Sequence, residues 1–141
     1  MDYNLALLLG AVLSLLAAVM HLWCIAVGPA GYRLMGAGER MVRAAEKGRR
    51  LPTVITLGIA LVLAVWAVYA LSGAGLIDPL PLLRPALCII TLVYLLRGFG
   101  GPLILRNTGH TRRFVAVSSV ICAVYGLLHL VGLMQVWDRL G

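Results

Sequence analysis

Acidic side chains are scarce in this sequence: five Asp and Glu stand against twelve Lys and Arg among 141 residues. All five (Asp2, Glu39, Glu46, Asp78 and Asp138) fall outside the long apolar runs. No carboxylate is left within a run to relay protons or to hold a buried cation. Cysteine is equally sparse. Cys24, Cys88 and Cys122 lie inside apolar runs at unrelated spacings, an odd number that excludes a disulfide framework and reads as small core residues. No His or Cys cluster has metal-ligand spacing, and no serine or threonine has an acid–base partner nearby. The expectation is therefore no metal, no cofactor and no catalytic residue. Charged residues make up 12% of the chain, about half the share in a soluble domain. The basic stretches lack interleaved aromatics, so a nucleic-acid partner is excluded too.

What the chain has in abundance is apolar sequence, 62% of its residues, with a mean hydropathy of +0.99. The clearest run is Thr53 to Leu71, which holds no charge and no proline. At about 1.5 Å per residue it reaches across a bilayer core of roughly 30 Å. Three further runs of similar character predict spans at about 5–27, 82–98 and 114–137. The acidic start Met1-Asp2-Tyr3-Asn4 and the length of the first run argue for a retained helix rather than a signal peptide. The fold expected is all-α: a polytopic membrane protein whose four spanning helices form an antiparallel bundle, one domain over residues 1–141.

Charge sets the orientation. The link from Pro29 to Arg50 carries six basic residues against two glutamates, and the link around Asn107 is flanked by Arg106, Arg112 and Arg113 with no acid. Both belong on the cytoplasmic side, opposite Asp2 and Asp78, which puts both termini outside the cytoplasm, in a bacterial inner membrane. Within the first link, residues 39–48 predict an amphipathic surface helix with i,i+4 pairs Glu39/Arg43 and Glu46/Arg50. Arg33, Arg40, Arg43 and Lys47 are its candidates for contact with anionic lipid.

The third run is irregular. Arg84 and Arg97 bracket its uncharged core, and Gly98-Phe99-Gly100-Gly101-Pro102 breaks its end. Either the helix crosses to about Gly98 with Arg97 at the headgroup border, or Phe99 to Leu105 bends back. Arg97 is a further lipid or ligand candidate. Its helical phase points away from the Cys88/Thr91/Leu95 face, and Glu39 or Glu46 is the acid within reach. Gly28-Pro29-x-x-x-Arg33 and Gly101-Pro102-x-x-x-Arg106 form a faint repeat.

Two stripes of small or weakly polar residues recur at helical spacing: Gly10, Ser14, Ala17 and His21 in the first run, and Ser118, Cys122, Tyr125 and His129 in the last. In lipid such stripes let backbones approach closely, so both are expected to be helix-packing seams. His21 and His129 sit at different depths, which excludes a shared metal. Four helices with a charged cytoplasmic loop resemble the membrane-bound glutathione transferases in size and helix count. The Arg–Asn–Glu signature of that family has no counterpart here, and Glu39-Arg40 and Ala45-Glu46 are too generic to stand for it.

The functional expectation is a small membrane subunit or helper that packs against lipid and against a membrane protein partner or copies of itself. Two alternatives stay open: an oligomeric carrier or channel, and an interfacial enzyme acting on a lipid, quinone or thiol conjugate.

Overall fold

The computed structural model describes residues 3–140, so Asp2, one of the expected outer markers, lies outside the described residues. Seven α-helices follow in order: α1 (Leu5–Val27), α2 (Pro29–Leu34), α3 (Glu39–Glu46), α4 (Leu51–Gly73), α5 (Leu83–Phe99), α6 (Gly101–Ile104) and α7 (Arg112–Val136). A 3-10 turn, Trp137–Arg139, closes the chain.

Local chemistry sets most boundaries. Asn4 caps α1, its side-chain oxygen accepting from the Leu7 amide at 2.8 Å, and Thr111 caps α7 in the same way through Phe114. Proline opens α2 and sits in the first turn of α4 and α6, where its missing N–H costs nothing. That is why α4 starts at Leu51, ahead of the expected Thr53. Helix α2 was not expected; its signal is Pro29 after Gly28, which adopts a left-handed φ of 78°. Gly101-Pro102 likewise restarts a helix, but Gly101 lies within it and has no positive φ, so the two repeat motifs have different backbones. Helix α6 is a one-turn continuation of α5: the Ile104 amide bonds to the Gly100 carbonyl.

Helices α1, α4 and α7, the last with its closing turn, are long and apolar enough to cross a membrane. Helix α5 is shorter, at 17 residues, and carries Arg84 and Arg97 near its ends. Among the described residues three helices thus have the length and composition of full spans, and α5, where the sequence predicts a fourth, is shorter and packs among them.

The Asn4 amide bonds to the Ala74 carbonyl, so the start of α1 meets the end of α4. Leu7, Ala74, Leu87 and Val136 share one apolar cluster at that end, which fixes α1 and α5 running one way and α4 and α7 the other. The closest pairs are α1 with α4 and α5 with α7, joined through α1 and α7. Helices α4 and α5 share the short Ser72–Leu82 link, yet they touch only loosely. A second cluster (Ala18, Leu63, Ile90, Tyr94, Tyr125) fills the middle. At the far end Cys24, Tyr32 and Val42 bind α2 and α3 under the bundle as a cap.

Candidate functional site

Arg97 occupies the interface of α5 and α7. Close backbone approach puts it there: a Cβ on Gly98 would collide with the Ala123 backbone, and one on Gly126 would lie 2.7 Å from Leu95 Cδ2. The guanidinium donates through Nη2 to Ser118 Oγ at 2.7 Å and through Nη1 to Ser119 Oγ at 3.2 Å. Gly101 shields this seat, since a Cβ there would strike Ser119 Oγ and come within 2.6 Å of Arg97 Nη1. The expectation that Arg97 points away from the seam is therefore corrected. The contact face with α7 runs through Leu95 and Gly98 rather than centring on Cys88 and Thr91, and the long Arg97 side chain reaches across it to Ser118 and Ser119.

No carboxylate lies within ion-pair distance of Arg97 among the described residues. Glu39 pairs with Arg43 at 3.4 Å, and Glu46 pairs with Arg33 at 2.7 Å. The second pair also corrects the expected Glu46/Arg50 contact, because the turn after Gly28 carries α2 back over α3. Two neutral hydroxyls orient the half-buried guanidinium and leave its charge unmatched. Such a seat suits an anion supplied from outside the chain. It offers no nucleophile, since neither serine has a general base beside it.

A second polar layer lies in the middle of the bundle. Ser14 Oγ and Tyr94 OH share a hydrogen bond of 2.8 Å. The Tyr94 ring meets Trp66 edge-on at 5.0 Å, Tyr125 at 5.5 Å and the tilted His129 ring at 5.1 Å. His129 Nδ1 is 2.7 Å from the Tyr125 carbonyl, to which it donates, and buried Nε2 has no hydrogen-bond partner among the described residues. His129 fits only because residue 10 is glycine: a Cβ there would lie 2.7 Å from its Cε1. These contacts tie α1, α4, α5 and α7 together.

Of the two stripes, Gly10, Ser14, Tyr125 and His129 are buried, and Ala17, His21, Ser118 and Cys122 are half-buried. His21 Nδ1 turns to the Ala17 carbonyl at 2.7 Å. It lies 11 residues beyond Gly10, roughly 16 Å along the helix axis from the His129 level. Among the described residues no group of three or more His, Cys, Asp or Glu could hold a metal.

On the cap, α3 turns Val42 inward against Cys24 and Tyr32 and leaves Arg40, Arg43 and Lys47 exposed. The Arg33–Glu46 and Arg43–Glu39 bridges are exposed as well, worth about 0–1 kcal/mol each. No family model, curated protein or solved structure matches the chain.

Sequence reasoning passed over Asn4. Besides capping α1, Asn4 Nδ2 donates to Gln135 Oε1 at 2.8 Å, which clasps α1 to α7. An asparagine just before an apolar run was the available signal. It also passed over the stacking of Arg84 on Trp137, which no spacing could show.

Proposed function

We propose that this chain is a small integral membrane helper protein that packs against lipid and against partner helices or copies of itself. In this reading α5 is the fourth crossing, since its 17 residues span about 26 Å, and residues 1–141 form one membrane domain. The cap of α2 and α3 faces the cytoplasm and both termini lie outside. Supporting this, every Lys and Arg except Arg84, Arg97 and Arg139 lies in or beside the links at the cap end. Arg33, Arg40, Arg43 and Lys47 there contact anionic headgroups.

The observation that carries the reading is the apolar exterior. Along α4 alone Val54, Leu57, Leu61 and Val65 are each at least 41% exposed, and α1, α5 and α7 present similar faces. Surface of this extent needs lipid or protein over it. Arg97 is the seat for a carboxylate or phosphate that comes with the covering molecule.

Cysteine accessibility in a Cys-free background tests the orientation. Lys47→Cys and Asn107→Cys should label from one side and Ile77→Cys from the other; labelling of all three from one side refutes four crossings. For the helper role, Arg97→Lys keeps charge but loses the two-pronged donor, so it should lower the co-purifying partner or oligomer as Arg97→Gln does. A chain that is extracted as a bare monomer, with Arg97→Leu indistinguishable from the unaltered protein, refutes it.

A further inference from the structure

At the end opposite the cap, the last turn of α4, the Ser72–Leu82 link, the start of α5 and the close of α7 surround an open cleft of about 480 Å³. Two guanidinium groups, Arg84 and Arg139, line it among leucines such as Leu83 and Leu140. Arg84 lies over the Trp137 ring, its Cζ 3.8 Å from the ring centroid. Stacking engages the face of the guanidinium, while its N–H donors lie in the plane and point outward from the edge. Neither arginine forms an ion pair or hydrogen bond with another described residue. The acids of this end, Asp78 and Asp138, are exposed and form no ion pair with another described residue.

The lip of the cleft is built rather than loose. Ser72 Oγ accepts from the Leu80 amide and donates to the Asp78 carbonyl, both at 3.0 Å. Leu82 holds φ at 56°, a left-handed conformation unusual for leucine. One turn deeper on the same α4–α5 furrow lies an apolar hollow of about 210 Å³, lined by Trp66, Tyr69, Ile89 and Ile90. The Tyr69 hydroxyl donates to the Pro81 carbonyl at 3.2 Å and marks the border between the polar cleft and the apolar hollow. The furrow is open because α4 and α5 pack loosely.

Two unmatched cations above an apolar furrow call for one molecule with an anionic head and an apolar tail. We propose that this end of the bundle binds an anionic phospholipid, its phosphate between Arg84 and Arg139 and one acyl chain along the Trp66–Ile89 furrow. The proposal rests on the reading that α4 and α5 cross the membrane, which places Arg84 at the headgroup level.

The test is native mass spectrometry of the full-length protein in one mild detergent, titrated with phosphatidylglycerol and with phosphatidylethanolamine. Arg84→Gln with Arg139→Gln should weaken phosphatidylglycerol about ten-fold, or ~1.4 kcal/mol, and weaken phosphatidylethanolamine, whose ammonium already offsets its phosphate, by a smaller factor. Ile89→Trp, which fills the furrow and leaves both charges, should weaken both lipids. Neutralising Arg40, Arg43 and Lys47 at the other end should spare the tightest phosphatidylglycerol. Unchanged phosphatidylglycerol affinity in both the double Gln and the Trp variants overturns the site. Full competition by glycerol phosphate overturns the lipid assignment in favour of a soluble phosphate compound. Release of the chain from membranes by alkaline carbonate refutes the crossing itself; a retained chain with unaltered lipid binding refutes the lipid site alone.

Discussion

Replacing Gly98 by alanine adds one methyl group where α5 and α7 touch backbone to backbone. The new Cβ would lie 2.6 Å from Ala123 Cα and 2.8 Å from its Cβ. Carbon atoms in contact prefer about 3.5–4.0 Å, so the two helices have to part by about 1 Å. Overpacking of this kind costs about 1–3 kcal/mol. The same movement stretches the Arg97 bonds to Ser118 and Ser119, and inter-helix hydrogen bonds in membrane proteins contribute about 0.6 kcal/mol each. Against this, alanine gains up to about 1 kcal/mol of helix propensity over glycine. Gly58→Ala on α4 is the control, because nothing lies within 4 Å of its added Cβ and only the propensity gain remains. The propensity gain is common to both, so the two variants should differ by about 1–4 kcal/mol, with Gly98→Ala the weaker. Unfolding in detergent mixed with increasing dodecyl sulfate, followed by helical circular dichroism, measures the difference. Equal stability of the two variants would show that α5 and α7 do not meet at Gly98.

Two further perturbations probe the middle and the Asn4 end. Gly10→Ala should destabilise by about 1–3 kcal/mol through its clash with the His129 ring, and His129→Ala in the same chain should relieve that clash. Additive losses in this double-mutant cycle would show that the two positions do not touch. Asn4→Ala should cost about 1–2 kcal/mol by removing the α1 cap and the donor to Gln135. Asn4→Asp should keep the cap and lose only that donor, so an Asp variant as weak as Ala would place the cost elsewhere.

The sequence by itself determined the long helices and where they begin and end. Hydropathy and capping are local, and α1 runs over the expected 5–27, while α5 and α7 depart from expectation by no more than two residues at each end. It also determined where the basic residues gather, because links between apolar runs are short and leave them no other place. The tertiary structure decided which helices are neighbours. Among the four long helices the shortest link joins α4 to α5, yet the closest partners are α1 with α4 and α5 with α7. It decided that Arg97 meets two serines rather than a glutamate, and that Glu46 takes Arg33 rather than Arg50. Periodicity gives a residue's angle on its own helix and says nothing about the rotation and depth of the helix opposite. Those are set by backbone contact at Gly10, Gly98 and Gly126, where the absence of a side chain on one helix makes the place for a side chain or backbone of another.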